Sequence, residues 1–111
     1  MDNEKNDFYY LDKIKNDLKF IMDHTLNKSE QDIEENEILL DSIMFRIIQI
    51  SENNNHLSLD FKSKHPTIPW ASIKGMRNKI VHEYGVINIT IIYDTITNGI
   101  PLMYEQLLSI K

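Results

Sequence analysis

Four residues in the second half of the chain could together perform phosphodiester chemistry: Arg77, Asn78, His82 and Tyr84. A histidine can exchange a proton near neutral pH, and a guanidinium group can hold two phosphate oxygens in a planar fork. These two groups are the minimum needed to cleave a phosphodiester bond without a metal ion. The spacing R-x4-H-x-Y therefore indicates a candidate site whose catalytic pair is Arg77 and His82.

The charge of the chain is unevenly distributed around this motif. The formal net charge of −5 argues at first against binding to nucleic acid. Residues 2–37 hold eleven acids and five lysines, whereas residues 60–82 hold five cations and a single acid. The motif lies in the basic segment, where Lys74 and Lys79 could steer an RNA backbone. The acidic first half is either a solvated face or a docking surface for a basic partner.

Length and composition restrict the class of protein. A chain of 111 residues accommodates one domain, which we expect to span residues 1–111. The absence of cysteine excludes disulfides and thiolate zinc sites and agrees with a cytoplasmic location. No signal peptide and no apolar run long enough to cross a membrane are recognisable. We therefore expect a cytoplasmic protein without a membrane partner.

Apolar residues recur at helical spacing along most of the chain and predict an all-α fold. Ser29 and Asp32 form a variant of the capping box and predict a short helix. The segment 86–93 is rich in β-branched residues, but a single strand without a partner is unstable, so a helix is favoured there. The prediction is an up-and-down four-helix bundle with an additional short helix. Its main helices are expected over 4–25, 37–54, 70–84 and 87–110, with an irregular connection over 57–69 and a kink near 97–99 caused by Pro101.

A helical projection of residues 70–84 places Arg77 within an apolar stripe, with Tyr84 about 20° away and His82 about 140° away. A guanidinium group within an apolar stripe is costly unless it is paired or serves a ligand. Pairing with Glu52 or Asp94 is the purely structural alternative. The wide angle between Arg77 and His82 implies that they meet on one phosphate only at a helix end, or in a cleft formed with another helix or subunit.

Other candidate residues carry weaker signals. His24, His56 and His65 lack the spacing of a zinc site, and His65 is interpreted as a loop or capping residue. Trp70 and Tyr93 are expected to fill the core. No glycine-rich phosphate loop and no nucleophile elbow are present, so we expect no cofactor and no ATP-dependent activity.

The context of the motif resembles a known family. The block H-P-T-I-P-W-A-S-I-K-G-M-R-N over residues 65–78 leads into the motif, and Tyr93, Asp94 and Pro101 follow it. This arrangement resembles the HepT-like branch of the HEPN superfamily, the ribonuclease toxins of type VII toxin–antitoxin systems, over nearly the whole chain. The segment Ser-Glu-Asn at 51–53 departs from the more usual Gly-Glu-Ala of the family and weakens the case for a contribution from that helix.

The resemblance implies a metal-independent endoribonuclease that cleaves RNA, a tRNA or an mRNA, through attack by the 2′-OH. Arg77 and His82 would be catalytic, with supporting contacts from Asn78, Lys74 and Lys79. It also implies a homodimer and an MntA-like nucleotidyltransferase antitoxin as partner. In such pairs the antitoxin silences the toxin by transferring AMP to the tyrosine of the motif, which is Tyr84 here. The alternative is a non-catalytic helical binding subunit of a nucleotidyltransferase, although such a subunit would have no need of His82.

Overall fold

The computed structural model describes residues 6–81 and 86–110 as an all-α fold. In this part of the chain the only β-type pairing is an isolated antiparallel bridge between Val81 and Ile87. The helices are α1 (Asp7–Thr25), α2 (Glu30–Glu34), α3 (Glu37–His56), α4 (Leu59–Lys64), α5 (Trp70–Ile80), α6 (Ile89–Asp94) and α7 (Ile100–Leu108), with a π-helical turn (Thr95–Gly99) joining α6 to α7.

Short polar side chains define where most of these helices begin. Ser29 and Asp32 form the predicted reciprocal capping box at α2, with N–H···O distances of 3.1 and 2.9 Å. Four further helices begin at a side chain that accepts a hydrogen bond from the backbone of their first turn: Asn6, Asn36, Ser58 and Asn88. Because these caps satisfy otherwise unpaired N–H groups, the helix starts are encoded locally.

Four long helical segments surround the core, namely α1, α3, α5 and the continuous run from α6 to α7. α1 packs against α3 and α7, α3 packs against α5, and α5 packs against α6, so that the ring of neighbours closes. The fully buried side chains of this core are aliphatic and come from every segment of the ring: Leu11, Ile14, Leu18, Ile21, Ile43, Ile47, Ile50, Ile73, Ile80, Ile92 and Ile100. The predicted four-helix bundle is confirmed. No helix within the described residues is long and apolar enough to cross a membrane.

The predicted irregularity before Pro101 takes the form of the π-helical turn. The N–H of Ile100 bonds to the carbonyl of Thr95, five residues earlier. Proline lacks an N–H and its ring collides with the carbonyl four residues before it, and the wider turn provides room for that ring. Thr95 and Thr97 donate their hydroxyls to the carbonyls of Ile91 and Tyr93 at 2.8 and 2.9 Å.

One prediction about the connections was wrong, and one helix is longer than predicted. The segment 57–69, which was predicted to be irregular, contains α4. This helix forms because Ser58 caps its start and its own residue Phe61 is buried against the core. The helix predicted over 37–54 continues to His56 as α3. The side chains of Asn53 and Asn54 are buried, and Asn54 donates to the carbonyl of Trp70 at 3.2 Å.

Candidate functional site

α5 carries the first part of the motif and is held against α3. Its buried residues Ile73, Met76 and Ile80 recur on one face, as helical packing requires. Hydrogen bonds fix both ends of this contact: the Ser51 hydroxyl donates to the carbonyl of Lys74 at 2.9 Å, and the Asn54 amide donates to that of Trp70. Residue numbers rise along α3 as they fall along α5, so the two helices run antiparallel.

Arg77 lies beside an open cavity between α3 and α5. The cavity has a volume of ≈ 300 Å³ and is lined by Ile48, Ser51, Glu52 and Arg77. The side chain of Arg77 is exposed, and its Nη1 donates to the Asn78 Oδ1 at 3.2 Å. A guanidinium group in this position presents its remaining donors to solvent and to the cavity, where a phosphate could reach them.

The sequence-based view of Arg77 needs correction in two respects. Within the described residues no carboxylate lies within 4.0 Å of its guanidinium group, so the predicted alternative of an ion pair with Glu52 or Asp94 is absent. Arg77 is also not buried in the apolar stripe, because the stripe that packs into the core is narrower than the projection suggested. The cation is available to a ligand.

The helix ends before the second half of the motif. α5 was expected to continue to residues 82–84, but its last residue is Ile80, and Val81 is extended with φ −98° and ψ 122°. Val81 pairs with Ile87, and the N–H of Asn88 bonds to the carbonyl of Ile80 at 2.9 Å. The projection also assigned helical angles to His82 and Tyr84. Both residues lie outside the described part of the chain.

The residues predicted to support the site lie in two different places. Lys74 and Asn78 lie beside Arg77 on α5 and are exposed. Lys79 instead lines a different cavity, of ≈ 190 Å³, which it shares with Asp94, Gly99 and other residues. Lys74 and Asn78 thus lie near Arg77 on α5, and Asn78 is bonded to it, whereas Lys79 lines the other cavity.

One exposed apolar surface was not recognised in the sequence. Phe45 and Ile48 were assigned only to an apolar helix, yet 57% of Phe45 and 42% of Ile48 are exposed, and Ile38 on the same face is 81% exposed. Helical spacing of seven and three residues aligns the three on one face of α3. We call Ile38, Phe45 and Ile48 the α3 apolar face. Its signal in the sequence was that α3 is apolar on more sides than one core contact can use.

The weaker candidates have structural roles. His65 is the C-terminal cap of α4, as predicted, and its carbonyl accepts a hydrogen bond from the Trp70 indole at 3.0 Å. The Tyr93 hydroxyl donates to the carbonyl of Lys28 at 3.4 Å. Among residues 6–81 and 86–110, no three histidine or carboxylate side chains are grouped as metal ligands would be.

Comparisons with known proteins show the family of the chain. A family model described as "Ribonuclease HepT-like" matches residues 14–110. A protein of Caldanaerobacter subterraneus subsp. tengcongensis named "Putative RNase" is 32% identical over 97 residues, covering 87% of each chain. A Methanocaldococcus jannaschii protein of the same name is 30% identical over 82% of this chain and 72% of its own. The "Probable ribonuclease HepT" of Thermococcus cleftensis is 35% identical over 47% of each. No solved structure matches the chain.

Proposed function

Because the chain belongs to the HepT-like ribonuclease family, we propose that it is a metal-independent endoribonuclease and the toxin of a type VII toxin–antitoxin pair. The observation that carries the proposal is the exposed guanidinium group of Arg77 beside an open cavity, without an ion-pair partner among the described residues. Its donors are therefore accessible to a phosphate. RNA is the substrate because the reaction requires a 2′-OH.

In the proposed mechanism His82 accepts the proton of the ribose 2′-OH. The 2′-oxygen then bonds to the adjacent phosphorus as the bond from phosphorus to the 5′-oxygen breaks, and the leaving oxygen takes up a proton. The products are a 2′,3′-cyclic phosphate and a 5′-OH end. Proton transfer by a positioned side chain accelerates such a reaction by about 10²–10⁴-fold.

Arg77 stabilises the charge that develops on the phosphoryl oxygens in the transition state. Removing a single electrostatic donor of this kind costs about 10²–10³-fold in rate. The Asn78 side chain accepts a hydrogen bond from Arg77, which restricts the guanidinium group and supports a positioning role for Asn78. Lys74, three residues before Arg77 on the same helix, would contact the RNA backbone.

A second copy of the chain completes the proposed site. The α3 apolar face borders the Arg77 cavity through Ile48, and a contiguous exposed apolar patch marks an interaction surface. An isologous dimer would pair this face with itself and bring two Arg77 cavities side by side. Such a cleft provides the second wall that a phosphate held between Arg77 and His82 requires.

Regulation by a nucleotidyltransferase antitoxin completes the proposal. The antitoxin would transfer AMP from ATP to the Tyr84 hydroxyl, forming a phosphodiester bond to tyrosine and releasing pyrophosphate. The added phosphate carries negative charge close in sequence to Arg77 and would compete with RNA for the guanidinium group.

Expression in a bacterial host tests the enzymatic proposal. Induction of the wild-type chain should arrest growth and degrade RNA, whereas Arg77→Ala, His82→Ala and the double variant should all lose both effects to a similar extent, because residues that act as a unit are non-additive. Lys79→Ala, on the other side of α5, is the matched control and should remain toxic. Undiminished cleavage by His82→Ala would refute the catalytic role of His82, whereas a wild-type chain that neither arrests growth nor cleaves RNA would favour a non-catalytic binding subunit of a nucleotidyltransferase.

A further inference from the structure

Two lysines from different helices lie near the first turns of α5, the helix that carries Arg77. Lys74 belongs to α5, where Trp70, Lys74 and Arg77 follow one another at intervals of four and three residues and so share a face. Lys62 belongs to α4 and is half-buried. The Trp70 indole donates to the carbonyl of Lys62 at 3.2 Å, which anchors that part of α4 at the first turn of α5.

The anchoring through Trp70 brings Lys62 within the electrostatic influence of Lys74, which lies four residues after Trp70 on α5. Burial lowers the pKa of Lys62 from its usual value, and the charge of Lys74 lowers this pKa further. Asp7 acts in the opposite direction, but both of its oxygens are engaged by Ser58, whose N–H and hydroxyl donate to them at 2.7 and 2.8 Å. Neither lysine has a carboxylate within 4.0 Å among the described residues.

This arrangement is unfavourable in the free protein. The chain has a surplus of acids, yet neither Lys62 nor Lys74 has an ion-pair partner in the described part of the chain, while Lys64, two residues along α4, is paired with Asp60 at 3.0 Å. Like charges at short range repel each other, and a bound anion removes that repulsion. Ser51 connects the pair to the candidate site, because it lines the Arg77 cavity and its hydroxyl holds the carbonyl of Lys74.

We propose that Lys62 and Lys74 form a second phosphate-binding subsite, which holds the RNA backbone phosphate next to the scissile one on the α4 side of Arg77. This inference rests on the proposed function, and it identifies the ligand as a continuous single strand rather than an isolated phosphodiester. Arg77 binds the phosphate that reacts, and the lysine pair binds its neighbour. The subsite contributes to substrate binding and takes no part in the chemical step.

Binding without cleavage is the first test. A fluorescent oligoribonucleotide with a 2′-O-methyl group at every ribose cannot react, so its affinity is measurable with otherwise unaltered protein. Lys62→Gln should weaken binding about three- to tenfold at low salt, the effect of one partly exposed charged contact. It should also reduce the slope of log K against log salt by about 0.7, as expected for one lost phosphate contact on a single strand. Lys62→Arg should restore both quantities.

Lys64→Gln is the matched control, since it removes the same charge from the same helix at a paired, solvent-exposed position. It should leave affinity and slope close to those of the wild type. Equal effects of Lys62→Gln and Lys64→Gln would overturn the subsite. The side chain of Lys62 makes no hydrogen bond needed for the fold in the described structure, and circular dichroism will verify that the variant is folded.

Cleavage kinetics separate the subsite from the catalytic site. With an oligoribonucleotide, Lys62→Gln should raise KM about three- to tenfold and leave kcat unchanged. With a dinucleotide, which has a single phosphodiester, the variant should match the wild type. An equal loss on both substrates would place Lys62 in the reaction itself and contradict the proposal. If the wild type cleaves neither substrate, the proposed function fails, and the binding measurement still decides whether the lysine pair holds a phosphate.

Discussion

Replacing Phe45 with alanine tests the proposed dimer most sharply. Phe45 is 57% exposed in the single chain, and a phenylalanine side chain buries about 150–250 Å², so roughly 110 Å² becomes buried per copy if a partner covers it. Alanine retains a small part of this area. At about 25 cal/mol per Å², the loss is roughly 2 kcal/mol per copy and roughly 4 kcal/mol for the symmetric pair, an upper estimate that assumes complete coverage.

A loss of this size raises the dissociation constant of the dimer by about 10³-fold. Sedimentation velocity or light scattering over a range of protein concentrations measures the shift. Cleavage per chain should fall at low protein concentration and recover as concentration rises, because the second copy completes the site. A defect in folding would not recover in this way.

Leu108→Ala provides the control for Phe45→Ala. Leu108 is 50% exposed and lies on α7, which packs against α1 rather than forming the α3 apolar face. The Leu108→Ala variant should dimerise and cleave RNA as the wild type does. If Phe45→Ala assembles as well as Leu108→Ala, or if a monomer cleaves RNA at the wild-type rate, the α3 apolar face is not the interface.

Three further predictions concern regulation and stability. Tyr84→Phe should abolish the mass increase of an adenylyl group on co-expression with a nucleotidyltransferase antitoxin and leave the toxin active; an adduct that persists would assign the modification to another residue. Ile73→Ala removes a fully buried side chain between α5 and α3 and should lower the free energy of unfolding by about 2–5 kcal/mol, measured by urea denaturation. Asp17→Ala breaks the 2.8 Å ion pair with Arg46 between α1 and α3. It should lower the free energy of unfolding by about 1–2 kcal/mol, which is less than for a fully buried pair because the Arg46 side chain is one-third exposed. An unchanged urea midpoint would show that water replaces the carboxylate.

The helices were predictable where local chemistry determines them. The capping box at Ser29 and the effect of Pro101 act through their immediate neighbours, and both were read correctly from the sequence. α4 was missed because it has only six residues, and so short a segment carries too little periodicity to distinguish a helix from a turn. Its stability comes from the burial of Phe61, which depends on distant parts of the chain.

The site was predictable in its residue types but not in its geometry. A helical projection treats every apolar neighbour as buried, so it placed Arg77 in the core, whereas the packing of α3 against α5 leaves the side chain at an open cavity. The projection also assumed that α5 continues, while the bridge of Val81 with Ile87 ends it. Likewise, only the hydrogen bond of the Trp70 indole to the carbonyl of Lys62 reveals that Lys62 lies at the start of the helix that carries Lys74.

The chemistry of the cleavage ends is the most direct test of the central claim, that Arg77 and His82 promote attack by a 2′-OH without a metal ion. The wild-type protein should cleave an oligoribonucleotide in the presence of EDTA and leave 2′,3′-cyclic phosphate and 5′-OH ends, and a fully 2′-O-methylated copy of the same oligonucleotide should remain intact. Cleavage of the methylated copy, ends carrying a 5′-phosphate, or complete inhibition by EDTA would contradict the account.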